Sequence, residues 1–218
     1  LTPQALWIGD WLSPTEVTQV VAEYTGAAEL DSTIPVLVLY AIPGRDCGSH
    51  SAGGLTAPEY TIWLDAVAAG ITGEPWVIVE PDALPQVGTC AGQGDRIGLL
   101  REAATTMTTA GARVYLDVGH SDWLTTAQAI RNLKRVGFDD AVGFALNTSN
   151  FGSTADERAY GEEIVKGLDD DVSFIIDVSR NGRGSTGEWC NPPGRALGVA
   201  PRLVTDNTAL EALLWVKA

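Results

Sequence analysis

Carboxylates at the ends of apolar runs carry the first chemical signal in this sequence. Asp46 sits in Pro43-Gly44-Arg45-Asp46-Cys47-Gly48, Glu80-Pro81-Asp82 closes another run, and Asp117 and Asp177 each end a further one. Taken singly, each acid serves equally well as a helix N-cap or a loop ion-pair partner. Four runs ending alike are harder to assign to chance. Clustered carboxylates with only two histidines in the chain leave two chemistries. One is glycoside hydrolysis, where one acid protonates the leaving oxygen and another handles water or stabilises charge. Crowding of like charges keeps one such acid protonated near neutral pH. The other is a Mg2+ or Ca2+ site, since hard cations take oxygen ligands.

Tryptophan favours the sugar chemistry, because an indole face stacks on the apolar face of a pyranose. There are seven in 218 residues. Trp7, Trp123 and Trp189 fall at strand ends or in loops, where a cleft is expected; Trp63, Trp76 and Trp215 read as core.

The elements that must position these groups alternate along the chain. Short, β-branched runs at 5–8, 34–40, 76–79, 112–116, 142–146, 172–176 and 213–216 are continuously apolar, as strands covered on both faces are. Helix-like stretches lie between most of them. Ser13-Pro14 opens one that extends to about Leu30, and others cover roughly 58–70, 95–111, 125–136 and 154–168. Gly70, Gly111 and Gly137 stand where helices should end. Strand–helix alternation implies a parallel sheet with helices outside it, and seven strands favour a TIM-like (β/α) barrel over an open sheet. The carboxyl ends of such strands form the active face, which is where the acids fall. No G-x-G-x-x-G follows the first strand, so a dinucleotide fold lacks its main support.

Composition narrows the partners. The 28 Asp and Glu outnumber 14 Lys and Arg, for a net charge of −14, which argues strongly against nucleic acid or anionic lipid as the partner, since both need a basic face. No apolar run approaches the ~18–20 residues of a membrane-spanning helix. Cys47, Cys90 and Cys190 show no metal-ligand spacing. The acidic balance and the scarcity of lysine (Lys134, Lys166 and Lys217) fit an extracellular bacterial enzyme, read as a mature chain without a signal peptide. A single domain, a monomer, and no metal or cofactor are expected.

Seven segments in order then resemble the glycoside hydrolase family 6 cellulases over nearly the whole length. They are Leu39–Gly48, Ile78–Leu84, Tyr115–Leu124, Leu146–Phe151, Ile176–Gly182, Glu188–Pro192 and Leu214–Lys217. The resemblance implies a distorted seven-stranded parallel (β/α) barrel that hydrolyses β-1,4-glucan with inversion. It implies Asp82 as the general acid, Asp46 as the acid that assists it, and Asp117 as a further cleft carboxylate. Trp7 matches a sugar platform and Tyr40 the tyrosine beside the distorted ring. Arg45, His120, Trp123, Asn147, Asn150, Trp189 and Lys217 match substrate-contacting positions, although a loop-bound role for His120 stays open. A Cys47–Cys90 disulfide is implied as well.

Two departures stand out. The family continues beyond a strand like the last one here, into a loop with another aspartate, a cysteine and a closing helix. The resemblance therefore implies a closing segment beyond Ala218 holding a partner for Cys190, with this sequence as the observed part of a longer protein favoured over a true truncation. Without it, the last strand should present a bare edge. Second, Ala52 stands where some relatives carry the serine that holds the catalytic water, and Ser51 is its expected substitute.

The short segment Arg183–Glu188 favours endo action on internal bonds. A cellobiohydrolase of the same family, a non-catalytic glucan-binding barrel and a divalent-metal hydrolase are the alternatives.

Overall fold

A computed structural model describes residues 3–168 and 171–217. The strands are β1 (Leu6–Gly9), β2 (Val36–Tyr40), β3 (Trp76–Val79), β4 (Arg113–Asp117), β5 (Gly143–Leu146), β6 (Ser173–Asp177), β7 (Arg202–Leu203) and β8 (Leu210–Leu214). The helices are α1 (Pro14–Leu30), α2 (Ala57–Gly70), α3 (Arg96–Thr109), α4 (Thr126–Val136) and α5 (Thr154–Leu168). The sheet order is β1-β2-β3-β4-β5-β6-β8-β7. Pairing is parallel from β1 through β8, and only the short β7 runs antiparallel.

Among the described residues, the ring closes on one parallel bridge between Gln4 and Trp215, with the Ala5 N–H donating to the Trp215 carbonyl at 3.0 Å. One bridge in place of a ladder is the distortion of the barrel. The expected seven-stranded parallel barrel is therefore present.

Alternation along each strand divides the apolar residues into two layers. Leu37, Leu39, Val77, Val79, Val114 and Leu116 face outward and pack on Val17, Val21, Trp63, Leu64 and Met107 of the helices. Val38, Trp76, Ile78, Tyr115, Ala145 and Ile175 fill the barrel. Both faces are thus covered, which is why these strands are continuously apolar in sequence. The inward parity carries Tyr40, Asp117 and Asp177 to the carboxyl ends of β2, β4 and β6.

Local signals set the helix boundaries. Ser13 accepts from the Glu16 N–H while the Glu16 carboxylate accepts from the Ser13 N–H at 2.9 Å, and Thr125 with Gln128 repeats the arrangement. Such a cap is worth about 1 kcal/mol. Gly137, at φ 89°, ends α4 as expected. Gly70 does not act as a cap: it is the last helical residue of α2, and a Cβ there would lie 2.5 Å from the Thr18 carbonyl oxygen. Its role is to let α1 and α2 approach.

Three further expectations are corrected. The last parallel strand begins at Leu210, three residues before the apolar run suggested. Glu211 breaks that run, and its carboxylate accepts from Arg113 at 2.6 Å and from Tyr115 and Ser173 at 2.7 Å. The edge of β8 is not bare over the described residues, because β7 pairs with Ala212 and Leu213 and the Gln4 bridge follows. Trp215 is only partly buried, its indole N–H donating to the Val199 carbonyl at 2.9 Å.

Candidate active site

The loops after β2, β3, β4, β5 and β6 gather around a groove of ≈ 690 Å³ at the carboxyl ends of the strands. Asp46 and Asp82 both line it, with Trp7, Tyr40, Ser51, His120, Trp123, Asn150, Trp189 and Lys217. Strain concentrates here. Asp46, Cys47, Glu80, Asp82, Asn147 and Ser149 all have φ between 48° and 71°, a left-handed conformation that costs non-glycine residues about 1–3 kcal/mol each.

Asp82 is half-buried in the groove wall. Burial, and secondly the charge of Asp46, push its carboxyl up to about 7. Asp46 is held differently. Its Oδ2 accepts from the Ser51 N–H at 2.8 Å and its Oδ1 from the Gln86 amide at 3.4 Å. One carboxyl in the groove is therefore disposed to keep its proton, while its neighbour is supplied with hydrogen-bond donors. A raised carboxyl of this kind is what a general acid requires.

Asp117 stands behind Asp82 and is 1% exposed. Its Oδ1 accepts from the backbone N–H of Asp82 and of Gly119, each at 3.1 Å, whereas Oδ2 has no hydrogen-bond partner. Burial and then the Asp82 charge push it up to about 8. It is placed to hold the Asp82 loop and lies outside the groove surface.

Aromatic rings frame the acids. Trp7 and Tyr40 meet edge to face with centroids 5.3 Å apart. The Lys217 ammonium lies 4.3 Å from the centre of the Trp7 ring, and the Trp7 indole donates to the Val216 carbonyl at 2.7 Å. On the β4 loop, His120 lies beside Trp123, ring centres 5.7 Å apart, and burial lowers the imidazole pKa. Trp189 is 58% exposed and meets His50 at 5.3 Å.

Loop geometry depends on glycine where chains cross. At Gly54, φ is +97° and a Cβ would lie 2.0 Å from the Ile42 carbonyl oxygen, so the loop bearing Asp46 folds back only with glycine there. The implied disulfide is formed between Cys47 and Cys90, closing a separation of 43 residues between the loops of Asp46 and Asp82. Cys190 is free and exposed, and lines the groove.

Comparison with known proteins decides the family. Residues 1–218 match the family model described as glycosyl hydrolases family 6.

The chain belongs to that family.

Endoglucanase A of Cellulomonas fimi is 57% identical over 100% of this chain and 48% of its own length. Endoglucanase 1 of Streptomyces sp. strain KSM-9 is 41% identical over 99% of this chain and 62% of its own. The chain thus spans about half to two thirds of these relatives. Among solved structures, the endoglucanase Cel6 from Mycobacterium tuberculosis, in complex with methyl-cellobiosyl-4-deoxy-4-thio-β-D-cellobioside, superposes with a TM-score of 0.93. It is 43% identical, and the match covers 99% of this chain and 76% of that one.

Within this family 6 barrel, some residues expected at the substrate lie elsewhere. Arg45 is withdrawn behind the groove. Its Nη1 donates to Asp10 and to the Tyr40 carbonyl, both at 2.6 Å, and its Nε to the Ser51 carbonyl at 2.8 Å. The guanidinium lies 4.6 Å from the centre of the Tyr40 ring, so it steadies the groove wall from behind. Asn147 is fully buried, donating to the Asp177 carbonyl at 2.9 Å and accepting from the Gly152 N–H at 2.9 Å. Backbone polar groups at these bends need partners, and Arg45 and Asn147 supply them.

Glu80 and Asp177, read as rim acids, are also internal. Asp177 accepts from the N–H groups of Ser149, Ser179 and Val216 and ties three strand ends together. Groove residues that sequence reasoning missed include His50, Gln86, Ser149, Arg180 and Glu188. Gln86 was findable: it lies four residues past Asp82 in the same loop. Arg180 lies inside a segment already matched to the family, and its guanidinium sits 4.5 Å from the Phe151 ring centre. Among the described residues no three carboxylate, histidine or cysteine side chains converge as a cation site.

Proposed function

We propose that this family 6 chain is an inverting endo-β-1,4-glucanase in which Asp82 is the general acid. The observation that carries the reading is the pairing of Asp82, pushed up to about 7, with Asp46 in one aromatic-lined groove. Trp7, Trp123 and Trp189 stack successive glucosyl rings, and Tyr40 lies under the ring at the cleavage point. Asp82 gives its proton to the glycosidic oxygen as the bond to the anomeric carbon breaks. Water attacks the opposite face, with Asp46 receiving its proton directly or through a relay that passes Ser51. Asp117 fixes the backbone of the acid from behind.

Asp82, pushed up to about 7 by burial and then by the Asp46 charge, holds the proton that the leaving oxygen needs. The substrate is β-1,4-glucan, held without a cofactor, and the Cys47–Cys90 bridge suits a secreted enzyme. Single-domain organisation over residues 1–218 and a monomeric state complete the proposal. Similarity to three endoglucanases supports internal cleavage.

The experiment is Asp82→Asn assayed on carboxymethylcellulose. Hydrolysis should fall by about 10³-fold or more while cello-oligosaccharide binding persists; retained hydrolysis overturns the acid assignment. Rapid viscosity loss relative to reducing-end release supports endo action, and slow thinning with steady cellobiose release reverses that part.

A further inference from the structure

Besides the Cys47–Cys90 bridge and the Gln86–Asp46 hydrogen bond, the loops of Asp46 and Asp82 are joined by polar contacts that lie outside the groove. Residues 80–96, which follow β3, grip residues 41–47, which follow β2. The Glu80 carboxylate accepts from the Ala41 N–H at 3.0 Å to each oxygen and from the Ile42 N–H at 3.1 Å. Arg96 Nη2 donates to the carbonyls of Pro43 and Gly44 at 2.9 and 3.0 Å. The run leading to Asp46 is therefore held by its donors at one end and its acceptors at the other.

Both holding side chains are internal, Glu80 at 0% and Arg96 at 3% exposure. Burying a carboxylate and a guanidinium is costly, and apolar packing holds two loops together with less penalty. Apolar packing does not, however, fix a backbone N–H to within a hydrogen bond's width. Glu80 lies two residues before Asp82, and both take left-handed φ, 48° and 71°. The acid and the residue that grips the neighbouring loop thus belong to one strained turn.

We propose that Glu80 is a positioning residue of the reaction, its carboxylate setting where Asp46 stands relative to Asp82, with Arg96 as the second arm. The inference rests on the assignment of Asp82 as acid and Asp46 as its partner. The Tyr60 hydroxyl also donates to Glu80, at 2.9 Å, but from the helix side, away from the run. The charged or titratable groups facing Glu80 are Tyr60, Arg45 and Arg96; those coupled to Asp82 are Asp46, Asp117 and Tyr40.

Glu80→Gln tests it. The amide NH2 then faces the Ala41 N–H, donor against donor, and the run carrying Asp46 must shift. A shift of about 1 Å costs roughly 10²-fold in rate, so kcat per folded molecule should fall by about that factor with KM within about twofold. The alkaline limb of the pH profile should move to lower pH, because the Asp46 charge, which after burial is the second cause of the raised Asp82 carboxyl, has moved away. Tyr60→Phe is the control: it removes Glu80's outer hydrogen bond, so Tm should drop with the pH profile in place. Wild-type kcat and an unmoved limb in folded Glu80→Gln overturn the inference, as does a loss in Tm alone. If Glu80→Gln does not fold, Arg96→Lys carries the same readouts: a lower kcat with the limb displaced supports the proposal, and an unchanged profile overturns it. Retained hydrolysis in Asp82→Asn is a separate result, one that removes the acid assignment beneath it.

Discussion

The backbone N–H of Asp82 donates to the carboxylate of Asp117 at 3.1 Å, while the other Asp117 oxygen meets no partner. The acid at the groove is thus anchored by a second acid that is sealed from solvent. Anchoring needs only one acceptor oxygen, so the charge on Asp117 is not required for it.

This separates stability from charge. The Asp117 carboxyl is raised to about 8 in the folded protein by burial and the Asp82 charge, against about 3.9 when unfolded. The folded state therefore binds more protons between those values, and stability declines as pH rises through that window. Asp117→Asn keeps the acceptor oxygen and removes the ionisation. Its Tm should exceed that of the wild type by more at pH 9 than at pH 5, as thermal unfolding across pH will reveal. An equal or negative difference at pH 9 refutes the point.

With Asp82 as the proposed general acid, only its protonated form would donate to the leaving oxygen, so kcat/KM should decline as pH rises through about 7. Asp46→Asn removes the second cause of the raised pKa. Along with a large loss of rate, its residual activity should show the alkaline limb at lower pH.

Stacking on the indoles should appear mainly in binding. Trp7→Ala and Trp123→Ala are each expected to weaken cello-oligosaccharide affinity about tenfold, or ~1.4 kcal/mol, measured by titration calorimetry. For Trp7 the effect also includes loss of its hydrogen bond to Val216 and of its contact with Lys217.

The Cys47–Cys90 bridge joins two loops that are also held by Glu80 and Arg96. Replacing both cysteines by serine should lower stability by ~3–4 kcal/mol through the unfolded chain, visible in denaturant melts. Because the polar contacts remain, kcat at 25 °C should stay within a few-fold of the wild type.

Much of this was legible in the sequence. Apolar runs flanked by capping residues located α1, α4 and α5 closely, because Ser13, Thr125 and the proline at position 14 act locally. The placement of Asp46 and Asp82 in one groove was legible because both follow strands whose carboxyl ends face the barrel mouth, whereas Glu80 turned inward. What failed depended on three-dimensional crowding. Arg45 and Asn147 lie in segments matched to the family, yet both turn inward to satisfy backbone groups at sharp bends, and no spacing rule separates that role from substrate contact. Gly70 looked like a helix end but serves a close approach between α1 and α2. The start of β8 was hidden because Glu211 interrupts its pattern to meet Arg113, a residue 98 positions away in the chain.

The Gln4–Trp215 bridge, the one such join between these strands among the described residues, has a consequence for motion. A cylinder sewn along six full ladders and one stitch opens first at the stitch, and here Trp7 lies directly beside it, its indole tied across the gap to Val216. Under the proposed function, sugar seated on that indole would brace both lips of the seam at once. Amide hydrogen exchange at Ala5, whose N–H spans the gap, should then slow when oligosaccharide is bound, making the weakest join in the wall a reporter of an occupied groove.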